Sequence, residues 1–251
     1  LTIRHYLAPA IIGMPITDRR TIQQRMHQAI GRGQSTGQPI AKAAVDIAVH
    51  DLCAQAAGMT LRAFSGGQDG RNRVELSYTL TGHDRASIIE EMDEGIEAGF
   101  RHFNFKAAVD PATDVEVAEA VRERIPAGGF VWADANQGFL LNRARTVARA
   151  FERIGVDLLE QPLPADQIHL MRALRSQTSI ALAVDEAGVS PGDFFNYVSQ
   201  GLVDYLVIKL TRSGGVWPTM VQIAVAQAAG LPLIVSGLTD GFITKVAACQ
   251  V

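Results

Sequence analysis

The 251-residue chain is 47% hydrophobic and 20% charged, the balance of a soluble globular protein long enough to bury a barrel-sized core. A formal net charge of −3, with no run or stripe of Lys and Arg, argues against nucleic acid as a partner. The most apolar stretch, 223–238, is broken by Gln227, Gly230 and Pro232 and is too short to span a bilayer, which argues against a membrane partner.

The first seventy residues read as helical. Thr17 and Asp18 can cap a helix over 19–30, with Ile22, Met26 and Ile30 at four-residue spacing. Residues 31–37 have loop composition. Pro39 opens a second helix, 41–57, closed by Gly58. Within it His50 reads as a hydrogen-bonded packing residue, since no second His stands near it in sequence to make a metal site. Residues 1–72 are therefore expected to be the helical remainder of a capping domain, and 73–251 a separate barrel domain.

From residue 74 onward, short apolar runs alternate with amphipathic stretches. Strands are expected at 74–80, 102–106, 130–134, 157–160, 180–185, 205–209 and 232–236, and helices at 84–98, 111–125, 142–155 and 215–229. Nearly continuous apolar strands joined through helices mean βαβ units and a parallel sheet buried on both faces. Seven such units without a GxGxxG favour a (β/α) barrel over an open dinucleotide-binding sheet. The chain opens on Leu1 rather than Met and stops at Val251 inside a helical pattern, before an eighth strand. Further sequence is expected at both ends.

The charged residues carry the chemistry. Lys106, Asp134, Glu160, Asp185 and Lys209 each end an expected strand, at intervals of 28, 26, 25 and 24 residues, one βα unit each time. In a barrel these strand ends open onto the mouth where active sites form. Three carboxylates converging there would repel unless a cation lay among them. All-oxygen ligands favour Mg²⁺, with Mn²⁺ as a substitute, over Zn²⁺. An amine beside a cation and partly out of water can act as a base near neutral pH.

At these positions the sequence resembles the enolase superfamily, and within it the mandelate racemase/muconate lactonizing enzyme family. The matching segments are Trp132-Ala133-Asp134-Ala135-Asn136-Gln137, Leu159-Glu160-Gln161-Pro162, Val184-Asp185-Glu186, Ile208-Lys209 and the 41–52 helix. The resemblance implies a (β/α)7β-type TIM barrel behind a partial α+β capping domain. It implies Mg²⁺ on Asp134, Glu160 and Asp185, with Lys106 and Lys209 as the acid/base pair. A lysine on the sixth strand points to the muconate lactonizing subgroup. The expected reaction is abstraction of the proton α to a carboxylate through an enediolate, in a racemase or epimerase of an amino-acid-like acid, with cycloisomerase or syn-dehydratase as the alternative. An aldolase-type Schiff base on Lys209 and an inactive binding module are weaker alternatives.

Two positions depart from the family pattern. Asn104 stands where the first lysine of Lys-x-Lys would be, and its amide could still bind the substrate carboxylate. Asp240 follows the seventh strand and could contact substrate or only solvent. Asn136 could orient the metal or the substrate, and Glu186 could support Lys209. Trp132 and Trp217 read as packing residues. Arg212, Gly214 and Gly215 read as the loop that turns the sixth strand into its helix. Cys53 and Cys249 have no CxxC partner, and no signal-peptide pattern is visible, so a reducing cytoplasm is expected. The expected partners are a small carboxylate substrate and further copies of the chain in a homo-oligomer.

Overall fold

The computed structural model describes residues 1–33, 35–67 and 73–251. Gln34 of the expected loop, and the boundary expected after residue 72, lie outside the described residues. Helices in the first part are α1 (Ala8–Ile11), preceded by a π-helical turn at Ile3–Leu7, α2 (Arg19–Ala29), α3 (Pro39–Ala56) and α4 (Leu61–Phe64). Strands and helices then alternate: β1 (Ser77–Leu80), α5 (Arg85–Glu97), β2 (His102–Lys106), α6 (Pro111–Arg124), β3 (Val131–Asp134), α7 (Leu141–Ile154) and β4 (Leu158–Glu160). They continue as α8 (Ile168–Arg175), β5 (Ala181–Val184), α9 (Pro191–Ser199), β6 (Tyr205–Lys209), α10 (Leu210–Ser213), α11 (Val216–Ala229), β7 (Leu233–Ser236) and α12 (Phe242–Gln250).

The seven strands form one sheet in sequence order, and every register given from β1 to β6 is parallel. This is the (β/α)-barrel type of fold. β3 and β4 are wholly buried, whereas β1 and β7, outermost in the strand order, are partly exposed. Helix starts follow their caps. Asp18 accepts from Thr21 N at 3.2 Å, Asp84 from Ser87 N at 3.0 Å, and Asp110 from Ala112 N at 3.0 Å. Each bond satisfies an amide that has no partner within its helix.

The chain divides into two compact units. One comprises residues 75–187 and 196–206, the other residues 1–74, 188–195 and 207–251. In the first, alternation along β2 sends Phe103 and Phe105 to one face and His102, Asn104 and Lys106 to the other. Phe105 meets Phe151 of α7 edge-on at 5.7 Å, both fully buried. Burial of each such ring contributes about 1.5–3 kcal/mol.

In the second unit Leu7, Ile22, Met26, Val49 and Cys53 form a small helical core. The structure places Asp46 of α3 against the start of α11, where its Oδ2 accepts from Trp217 N at 3.1 Å. Its Oδ1 accepts from Gln23 Nε2. α11 starts on Gly215, which has no side chain for a cap, so Asp46 caps it from 171 residues away. Gly215 has φ 118°, and a Cβ there would strike the Asp46 carboxylate, so glycine is required twice over. Arg19 lies 4.6 Å from the Phe64 ring centroid and 5.9 Å from that of Trp217. His50 is buried, its Nδ1 2.8 Å from Asp46 O, as a packing histidine should be.

Candidate active site

The register of the first unit sets Lys106, Asp134 and Glu160 in one row. Lys106 pairs with Asp134 across β2 and β3, and Asp134 with Glu160 across β3 and β4. Glu160 pairs onward with Ala183, so Asp185 lies one residue past the end of β5 rather than on it, as the sequence suggested. The three acids are 5%, 4% and 0% exposed, which water alone cannot stabilise in charged form. Lys106 Nζ donates to Asp134 Oδ2 at 2.6 Å and to Asn136 Oδ1 at 2.9 Å. Its side chain remains 39% exposed, so the ammonium is at once paired and reachable from solvent.

Asn136 joins this cluster to the next strand end. Its backbone N donates to Asp134 Oδ1 at 3.0 Å, and its Nδ2 donates to Glu186 Oε1 at 3.0 Å. It takes φ 40°, a left-handed conformation that Asn tolerates better than most residues. Glu186 Oε2 is buried without a hydrogen-bond partner among the described residues. Asn104 is held from β1, where Thr79 Oγ1 donates to its Oδ1 at 2.9 Å. The loop after Lys106 is tied down by Asp114, whose Oδ1 accepts from Val109 N at 3.2 Å, and whose carboxyl is pushed up by burial.

Two residues do more here than the sequence reading gave them. Gln161, fully buried at φ 37°, accepts from Asp185 N at 2.9 Å and Ala187 N at 3.1 Å. Its Nε2 donates to Leu163 O at 2.8 Å. One amide thus fixes where Asp185 leaves the sheet. Trp132 is buried as expected, but its Nε1 also donates to Glu160 Oε2 at 2.9 Å. An indole on the same strand face as Asp134, two residues earlier, was the available sequence signal.

In the other unit, Lys209 is the last residue of β6 and is buried. A short helix, α10, follows it directly, so strand and helix are joined less simply than the expected loop. Gly214 and Gly215, both at positive φ, then lead into α11. That helix start holds the Asp46 carboxylate. Ser213 Oγ donates to Gln222 Oε1 at 2.6 Å, and Gln222 Nε2 to Gly188 O at 3.3 Å. Asp240 accepts from Thr211 Oγ1 at 3.1 Å and from Leu238 N at 3.0 Å.

The donor set fits a hard divalent cation by its chemistry, with three buried carboxylates at consecutive strand ends and no His or Cys among them. Among the described residues, however, no three His, Cys, Asp or Glu side chains are gathered closely enough to hold one ion. Lys106 supplies Asp134 with positive charge instead.

Comparison with known proteins agrees with this architecture. Residues 87–251 match the family model described as enolase C-terminal domain-like, and residues 1–66 match the mandelate racemase/muconate lactonizing enzyme N-terminal domain. The chain is 32% identical over 252 residues to the chloromuconate cycloisomerase of Cupriavidus necator, covering 99% of this chain and 66% of that protein. It is 29% identical to the N-succinyl-L-Arg/Lys racemase of Bacillus cereus, covering 100% of this chain and 66% of that protein. The solved substrate-liganded L-Ala-D/L-Glu epimerase of Bacillus subtilis superposes with a TM-score of 0.91 at 27% identity, over 99% of this chain and 68% of that one. The chain thus spans just under two thirds of the length of the curated relatives it matches. Among the described residues no helix is long and apolar enough to cross a membrane.

Proposed function

Because the chain belongs to the mandelate racemase/muconate lactonizing enzyme family, we propose that it serves a Mg²⁺-dependent enzyme that removes the proton α to a substrate carboxylate, most simply to racemise or epimerise it. The observation that carries this reading is the row Lys106–Asp134–Glu160, in which a half-exposed ammonium meets the first of the buried carboxylates at 2.6 Å. Asp134, Glu160 and Asp185 are the residues that would hold the cation. When bound, Mg²⁺ supplies stabilisation for the negative charge that builds on the carboxylate as the α-carbon is deprotonated.

The remaining work falls to the chain's own groups. Lys106, once its ammonium has released a proton to solvent, takes the α-proton at Nζ as the neutral amine, and Asn136 keeps that nitrogen oriented by accepting one of its hydrogens. Asn104 has its oxygen committed to Thr79, so its Nδ2 is the end that can donate to the substrate carboxylate. Lys209, by resemblance to the family's sixth-strand lysine, returns a proton to the α-carbon. Amino-acid-like acids, N-acylated amino acids and dipeptides are the first substrates to test, after the named relatives. The decisive experiment is α-proton exchange in D₂O with Mg²⁺ across such a panel, followed by NMR. Exchange that EDTA abolishes and Mg²⁺ restores is expected. Silence across the whole panel would overturn proton abstraction from these acids.

The likeness to chloromuconate cycloisomerases supports a second reading, in which one lysine is the base and the other a cationic support. Lactone formation from muconates without α-exchange of amino acids would decide for it.

A further inference from the structure

Trp132 occupies a position with a consequence for Glu160. It pairs in register with Leu158, and Glu160 lies two residues further along β4, on the same face as Leu158. Glu160 is therefore the diagonal neighbour of Trp132, a span that the indole bridges. The bridge is a hydrogen bond from Nε1 to Oε2 of 2.9 Å between two buried side chains. The ring packs against Phe130, with centroids 5.7 Å apart and planes tilted by 47°, and Phe130 in turn lies 5.7 Å from Tyr205. With packing on one side and a carboxylate on the other, the indole has little freedom to turn.

The chemistry of the donor matters as much as its place. An indole N–H is neutral, donates only, and does not titrate in the working range. It can fix a carboxylate's orientation without cancelling its charge, which the Lys106 ammonium does at Asp134. We propose that Trp132 is a positioning residue for Glu160. It holds Oε2 and so sets the orientation of the carboxylate that would hold a divalent cation. This rests on the reading of Glu160 as a metal ligand. It also makes the indole a built-in reporter, because a cation arriving at Glu160 polarises the carboxylate to which Nε1 is bonded.

The test uses Mg²⁺ alone, without substrate, on the whole protein. Calorimetric titration of Trp132→Phe, which keeps an aromatic ring but deletes the N–H, is expected to show Mg²⁺ binding weakened about 10- to 100-fold, the range typical of outer hydrogen-bond partners of metal ligands. In parallel, Trp217→Phe leaves Trp132 as the one indole, since the chain has two tryptophans. Its emission should then change with Mg²⁺ and saturate along the calorimetric isotherm. Unchanged affinity in Trp132→Phe, or flat emission while calorimetry records binding, overturns the proposal. If Trp132→Phe fails to fold, the emission titration still decides. Absence of Mg²⁺ binding in the unsubstituted protein would instead overturn the metal reading itself, and this proposal with it.

Discussion

The two ends of the sheet in the unit of residues 75–187 and 196–206 both carry carboxylates, and they use them differently. At the strand starts the acids hold backbone. Asp157 accepts from Val131 N at 2.8 Å, Asp204 from Leu182 N at 2.9 Å, and Glu152 from Ile180 N at 2.9 Å. These amides open strands, where the ladder leaves donors to be satisfied. Asp204 also takes two bonds from Arg175, at 2.6 and 2.8 Å. At the strand finishes the acids mostly address side chains, namely Lys106 at Asp134 and Trp132 at Glu160. A carboxylate saturated by fixed amides is a fastener. One met by side chains at the strand finishes lies where a barrel does its chemistry, and charge alone does not separate the two.

Substitution should separate them. Lys106→Ala is expected to lower Mg²⁺-dependent α-proton exchange by roughly 10²- to 10⁴-fold, the usual contribution of a general acid or base, a larger loss than the one in stability from unpairing Asp134. If it lowered stability as much as activity, the ammonium would belong with the fasteners. Asp204→Ala should do the opposite. Losing a backbone partner and a bidentate arginine, it should cost about 1–3 kcal/mol, tempered by its partial exposure, while kcat per folded molecule stays the same. Urea midpoints measured beside specific activity check both.

The smallest effect is expected from Glu152. Burial pushes its carboxyl up, but the Thr178 hydroxyl and the Ser179 and Ile180 amides outweigh burial and hold it below the ordinary value of 4.5. Its stabilisation is therefore fully present above that value and is lost as pH falls through the lower folded value. The urea-midpoint gap between the unsubstituted protein and Glu152→Gln should be constant near neutrality and shrink below about pH 4.5. A gap that stays constant into acid would show that the amide bonds do not depend on the charge.

Much of this architecture was legible before any coordinates. β2 and β6 fall on the expected residues, and the other strands within a few. The helix starts were marked by Asp18, Pro39 and Pro111, because capping is local chemistry. Less legible were α8, α9 and α10, which are short and mix apolar with polar residues, so their period is weak over so few turns. Asp185 was placed on β5 because its strand pattern runs on, whereas Gln161 draws the backbone out of the ladder at that residue.

By itself the sequence determined which residues end strands, and so that Lys106, Asp134 and Glu160 share a row, because alternation and strand length are properties of neighbouring residues. Only the tertiary structure decided what each of those groups holds. Trp132 reaches Glu160, Gln161 fastens Asp185, and Asp46 caps α11 from 171 residues away. Such partners depend on register and on distances between elements, which local periodicity does not encode.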